Sequence, residues 1–133
     1  MKEIKTNLAV SGIVIKNDKF LLLKRVKPPF SWCPPGGRVK EHEGFIEAVE
    51  REILEEAGIK VKIIMPISVW YGKHNQADLY SVDFLCKYID GEVTISKEHS
   101  EASWFSLIEL NKLEVTHDLS TFNSAKKLFN LLN

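Results

Sequence analysis

Three carboxylates crowd one short helix-forming stretch, Glu52, Glu55 and Glu56, with Arg51 before them and Ala57-Gly58-Ile59 after. On a helix turning about 100° per residue, with Glu52 at zero, Glu56 falls about 40° to one side and Glu55 about 60° to the other, so the three share an arc of about 100°. Ile46, Val49, Ile53 and Ala57 form an apolar stripe beside that arc. Like charges three or four residues apart repel by about 0.2–0.5 kcal/mol per pair. Glu55 and Glu56 also stand near the helix C-terminus, where the peptide dipoles disfavour anions. A solvated acidic face is the ordinary explanation of such a helix. The other is a hard divalent cation, since Mg²⁺ binds carboxylate oxygens and keeps several waters.

What precedes the helix favours the cation. Trp32-Cys33-Pro34-Pro35-Gly36-Gly37 ends in adjacent glycines, which allow a ligand close approach to the backbone. Glycine-rich loops and helix N-termini suit anionic groups. A loop for phosphate followed by carboxylates for a cation is a sensible site for a metal-bound diphosphate.

The elements that must position these residues can be read from the same chain. Its 133 residues suffice for one domain, 1–133. Lys plus Arg equals Asp plus Glu, 18 each, so no global field draws the protein to a nucleic-acid polymer or a membrane surface. The start, Met1-Lys-Glu-Ile-Lys-Thr-Asn-Leu8, lacks the apolar run of a signal peptide. Cys33 and Cys86 lack metal-ligand spacing and a nearby His, and read as reduced thiols of a cytoplasmic protein.

Strands are expected over residues 8–15 and 20–26, joined by a turn at Lys16-Asn17-Asp18-Lys19. Residues 27–37, with four prolines, are expected as loop. One or two strands broken near Pro66 are expected over 60–71, and further strands over 78–88, 92–95 and 103–106. Helices are expected over 44–57, closed by Gly58, and from about 116–118 to Leu132. Six or seven strands and two helices, with hairpin and helical connections, suggest a mixed sheet with a helix on each face.

Taken together, Gly37, five residues, Glu43, seven residues, Arg51-Glu52-Ile53, one residue, Glu55-Glu56, one residue and Gly58-Ile59 resemble the complete Nudix box. Trp32–Gly37 resembles the approach to the box, and Trp104-Phe105-Ser106-Leu107 with Glu109-Leu110 resembles the final strand and turn of that family. The resemblance implies an α/β fold, a Nudix-type α/β/α sandwich with a mixed β-sheet between helices, and MutT-like hydrolysis of a diphosphate linkage in a nucleoside diphosphate derivative. Glu52 and Glu56 would be the main Mg²⁺ ligands, with Mn²⁺ as an alternative ion. Glu55 would be a third ligand or the base for the attacking water, the Gly37 carbonyl would join the metal shell, and Arg51 would brace the glutamates. Glu43 would hold the loop to the helix. One departure is His42, where many relatives carry Gly.

The residues outside the box leave alternatives open. The general base is Glu55 or an acid of the later loop, Glu98 or Glu101, with Glu101 preferred. Lys24 and Arg25 alternate across a strand, so one faces the substrate phosphates, and Arg25 has the planar fork that matches them. Phe30, Trp32, Trp70 and Tyr71 are candidates to stack a base, of which Trp32 and Tyr71 are chosen, with Gly36 and Gly37 as backbone contacts. Lys73-His74-Asn75-Gln76 reads as a polar loop bordering the pocket. The partner expected is a nucleotide-derived small molecule, with a nucleoside triphosphate or ADP-ribose favoured; homodimerisation is left open. A non-catalytic nucleotide-binding module is the competing reading, and it predicts a missing box carboxylate where none is missing.

Overall fold

Strand β1 (Lys5–Lys16) is the rail on which the sheet is assembled. In the computed structural model, which describes residues 5–132, β1 pairs in parallel with β6 (Ala77–Asp90) from Leu8↔Tyr80 to Ile15↔Lys87. The start expected to lack a signal peptide includes residues 1–4, which lie outside the described residues. The end of β1 pairs antiparallel with β2 (Lys19–Arg25), and its earlier part with β4 (Gly36–Lys40). β5 (Lys60–His74) pairs with the outer side of β6, while β3 (Trp32–Cys33) and β7 (His99–Phe105) both pair with β2. One mixed sheet of seven strands results.

Strand alternation divides the apolar residues between two cores. Val10, Val14, Leu21, Leu23, Phe84 and Cys86 meet α1 (Phe45–Ala57) through Val49, Ile53 and Ala57. Ile13, Ile15, Phe20, Leu22 and Leu85 form the other core with Leu110 of α2 (Leu107–Leu110) and with Phe122 and Ala125 of α3 (Leu119–Leu132). Ile53 is fully buried, a contribution of about 1.5–3 kcal/mol for a side chain of its size. A Cβ on Gly12 would stand 2.5 Å from Ile53 Cδ1, so the glycine lets α1 lie close on β1. The expected layers, a mixed sheet between helices, are therefore present.

Several expected boundaries move. The loop expected over 27–37 contains β3 and the start of β4, because β2 and β1 offer open edges to Trp32-Cys33 and to Gly36-Gly37. Pro66 does not break its strand: β5 is an edge, and register shifts on either side absorb the missing N–H. Residues 92–95 form no strand; Thr94 N–H instead donates to Ala57 O and helps close α1. Ile46 shares the angular face of Ile53 but is 54% exposed, so the first turn of α1 projects beyond the strands. Gly44 is the N-cap of α1 rather than its first residue, and its N–H donates to Glu47 Oε1 at 3.3 Å. Among the described residues, no helix is long and apolar enough to cross a membrane.

Candidate active site

The acidic face of α1 is turned toward the start of β4. Gly58 closes the helix in the left-handed region (φ 69°), its N–H donating to Leu54 O at 3.0 Å. That stop fixes the last turn, which carries Glu55 and Glu56. Burial of the three carboxylates is graded as their angles require. Glu56, nearest the apolar stripe, is 7% exposed; the Glu52 side chain is largely covered; Glu55 is exposed. Gly36, Gly37, Arg51, Glu52, Glu55 and Glu56 line one cavity of about 660 Å³, and Glu98 closes it from the loop before β7.

Gly36 N–H donates to Glu56 Oε1 at 2.8 Å, so the glycine pair grips the buried carboxylate directly. A Cβ on Gly37 would lie 2.5–2.6 Å from the Glu52 carboxyl group, which leaves glycine as the residue that fits. Arg51 braces the cluster. Its Nε–H donates to Glu43 Oε2 at 2.7 Å and its Nη2–H to Glu43 Oε1 at 2.9 Å, a two-point grip. Nη1 reaches Glu52 at 2.8 Å and Glu55 at 3.3 Å, and Nη2 also reaches Arg38 O. Glu43 additionally accepts from Lys40 N–H, tying the loop to the helix as the resemblance implies.

The charge balance is incomplete. Hydrogen bonding to Arg51 lowers the Glu43 carboxyl to about 2. Burial raises Glu52 despite Arg51. Burial pushes Glu56 up to about 8; the Gly36 N–H opposes the rise, and Glu52 and Glu98 add to it. Arg51 therefore pairs with Glu43, Glu52 and Glu55, while the hydrogen bond given to the more buried Glu56 comes from the neutral Gly36 N–H. A divalent ion fits this donor set, which is rich in hard oxygen. Glu52, Glu55 and Glu56 are the side chains that would hold it, with the Gly37 backbone alongside.

Outside the box, the geometry redistributes several expectations. Glu101 lies on β7 in an ion pair with Lys24 (3.6 Å) and lines none of the three cavities described here. Glu98 is the later-loop acid that reaches the box, standing with Glu56 and His99 so that one ligand atom of each lies within 4.8 Å of the others. Lys24 and Arg25 do face opposite ways: Arg25 lines a cavity of about 360 Å³ with Lys27, Cys33, Gly36, Glu56, Glu98 and His99. Cys33 has a histidine neighbour after all, His99 Nε2 at 3.8 Å. Burial first, and Glu56 second, raise the Cys33 thiol to about 11, which leaves it protonated and no nucleophile. Burial lowers His99.

Trp32 and Tyr71 do not line the cavities. Trp32 packs edge-on against Phe105 (4.9 Å) in the α3-side core. Its backbone clamps the segment after α2: Trp32 N–H donates to Glu114 O and Thr116 N–H to Trp32 O. Tyr71 donates its hydroxyl hydrogen to Asp78 and stacks on Tyr80. Strand alternation puts its half-exposed neighbour Trp70 on the other face, where it borders a third cavity of about 790 Å³ with Ser68, Asp83, Thr116 and His117. Lys73–Gln76 is the tip of the β5–β6 hairpin, with Lys73 paired to Asp78, and lines none of these three cavities.

The third cavity holds a network that sequence reasoning missed. Asp83 is buried and accepts from Ser11 Oγ and Ser68 Oγ, and its Oδ1 lies 3.0 Å from His117 Nε2. Burial would raise its carboxyl, but these contacts prevail and lower it. Ser11 is also the register partner of Gly36, so the third cavity and the carboxylate site meet across one residue pair of β1 and β4. A lone Asp inside the otherwise apolar Val82-Asp83-Phe84-Leu85 run was the available signal.

A family model described as NUDIX domain matches residues 5–125. An ADP-ribose pyrophosphatase from Methanocaldococcus jannaschii is 37% identical over 115 residues, covering 84% of this chain and 68% of that protein. An 8-oxo-dGTP diphosphatase from Buchnera aphidicola subsp. Schizaphis graminum is 39% identical over 59 residues, covering 42% of this chain and 45% of its own. The crystal structure of a MutT NUDIX hydrolase from Burkholderia pseudomallei superposes with a TM-score of 0.78 at 26% identity, covering 88% of this chain and 95% of that one.

Proposed function

The chain belongs to the NUDIX family of hydrolases, and on that premise we propose that it cleaves the diphosphate linkage of ADP-ribose or a nucleoside triphosphate by attack of water on phosphorus, with Mg²⁺ held at the α1 carboxylates. The observation that carries this reading is the convergence of Glu52, Glu55 and Glu56 on one cavity wall beside Gly36 and Gly37.

A divalent cation at these carboxylates would supply charge neutralisation at the phosphate oxygens and a more acidic bound water. Glu52 and Glu56 would hold the ion, and Gly36 N–H fixes the Glu56 carboxylate in place. Glu55, the exposed member of the three, is held at one oxygen by Arg51 and would take the proton of the attacking water with the other. Arg51 positions Glu52 and Glu55. Arg25, on the wall beyond Glu56, receives the phosphate charge that leaves the cluster. The nucleoside end is assigned to the cavity between Trp70 and His117, whose size and mixed polar and aromatic lining suit a small organic group. The unit that carries these steps is the single domain 1–133.

A panel of nucleoside triphosphates, ADP-ribose, sugar nucleotides and dinucleoside polyphosphates, assayed with Mg²⁺ on the wild type and on Glu55→Gln, tests the reading. Turnover of ADP-ribose or a nucleoside triphosphate, lost or strongly reduced in the variant, supports it. Turnover confined to the other two classes overturns the substrate assignment, and an unaffected variant overturns the role of Glu55.

A further inference from the structure

The carboxylates of α1 supply oxygen donors alone, but the opposite side of Glu56 offers something different. His99 opens β7, is 9% exposed, and lines the cavity of about 360 Å³ with Glu56 and Glu98. Its Nδ1 is buried without a hydrogen-bond partner among the described residues. Its Nε2 makes a long contact, 3.8 Å, to the Cys33 thiol, a weak partner. An unsatisfied buried nitrogen is costly, so the fold carries a polar atom without a partner among the described residues.

One ring nitrogen of His99 and one oxygen from each of Glu56 and Glu98 lie within 4.8 Å of one another. Two ligands sharing a cation at bond lengths of about 2.0–2.2 Å stand about 3–4.4 Å apart. Glu98 is exposed, so its side chain can close the small remaining gap without moving the core. We propose that Glu56, Glu98 and His99 form a mixed nitrogen–oxygen subsite that takes a divalent transition-metal ion, of which Mn²⁺ and Co²⁺ serve as probes, in preference to Mg²⁺.

The preference follows from the donor set. Mg²⁺ gains little from an imidazole and prefers oxygen with retained water, whereas first-row transition ions gain from a nitrogen ligand. Glu56 is common to both sides: it belongs to the carboxylate cavity and to this one. Arg25 and Lys27 stand on the same wall and work against a bare cation. They suit an ion whose remaining positions carry an anionic group, such as a phosphate. The subsite does not depend on which diphosphate is hydrolysed, and it is read by metal binding rather than by turnover.

The test uses metal-free protein loaded with Mn²⁺. Pulsed electron paramagnetic resonance of the wild type is expected to show hyperfine coupling to a histidine nitrogen, absent in His99→Ala. Calorimetry is expected to give at least about tenfold weaker Mn²⁺ binding to that subsite in His99→Ala and in Glu98→Gln, an exposed position whose change leaves packing intact, with Mg²⁺ binding within about twofold of wild type in His99→Ala. No nitrogen coupling in the wild type overturns the proposal whether or not a variant folds. Equal Mn²⁺ affinity in wild type and both variants overturns it as well. Mg²⁺-dependent hydrolysis that persists without nitrogen coupling would remove this subsite and leave the proposed function standing.

Discussion

Arg51 grips Glu43 with two parallel hydrogen bonds, at 2.7 and 2.9 Å, and with its remaining nitrogen holds Glu52 at 2.8 Å. The loop before α1 and the acidic face of α1 are therefore locked by one side chain, and neither Arg51 nor Glu43 need touch substrate. Loss of such an orienting contact costs about 10–100-fold in metal affinity or activity. Glu43→Gln is expected to fall in that range, with the larger share in kcat because the carboxylates are misplaced rather than removed. Steady-state kinetics at saturating Mg²⁺ checks this. An effect confined to KM would show that Glu43 contacts substrate instead.

Gly37 lies against Glu52 so closely that no side chain fits between them. Gly37→Ala must push the Glu52 carboxylate or the β4 backbone aside. A shift of about 1 Å at a catalytic group costs about 100-fold. The expected result is a loss of that order in kcat/KM with a cooperative thermal transition retained, since β4 pairs with β1 through backbone groups the methyl does not remove. Activity within a few-fold of wild type would show that Glu52 is not held where the structure has it.

The Glu56 carboxyl, raised from an ordinary 4.5 to about 8 in the metal-free protein, sets a pH dependence with a definite sign. The folded state keeps a proton that the unfolded state has lost, so this group's contribution to stability is complete below about pH 4.5 and is lost as pH rises toward about 8. A cation needs the ionised form, so its stabilising effect grows over the same window. Thermal melts with and without saturating Mg²⁺ should show a larger increment in Tm at about pH 8.5 than at about pH 5.5. An increment independent of pH would mean that Glu56 is not a ligand.

Asp83 holds Ser11, Ser68 and His117 together at the centre of the sheet. Asp83→Ala removes the acceptor of the buried Ser11 hydroxyl, at a cost of about 1–3 kcal/mol, and of the part-buried Ser68 and His117, which water can reach from the cavity. Denaturant unfolding of Asp83→Ala is expected to show a loss at least of that size. Asp83→Asn, which keeps an acceptor oxygen, is expected to lose less. Equal losses would point to the cavity left by the side chain rather than to its hydrogen bonds.

The acidic helix was legible because its rule-breaking is local: three carboxylates, one wheel and one closing glycine are all contained in 51–58. The graded burial of Glu56, Glu52 and Glu55 follows from the same angles. What the sequence hid is tertiary. Glu98 and Glu101 have the same local chemistry, and only the register of β7, which sets Glu101 opposite Lys24 and leaves Glu98 before the strand, decides which reaches the box. Trp70 and Tyr71 are adjacent, and their faces depend on bulges around Pro66 that no local pattern fixes. His42 takes the left-handed conformation (φ 66°) at the place where relatives of the box carry glycine, so the turn there is retained by a residue that merely tolerates it.

The central claim is that ionised α1 carboxylates holding a divalent cation direct water onto phosphorus. Hydrolysis in oxygen-18 water, with the products read by mass spectrometry, tests it most directly on the wild type and Glu56→Gln. The account predicts Mg²⁺-dependent turnover of ADP-ribose or a nucleoside triphosphate, label on a phosphate oxygen of one product, and a loss of at least about 100-fold in the variant. Turnover that survives Glu56→Gln or chelation of the metal, or label on a carbon-bound oxygen instead, would contradict it.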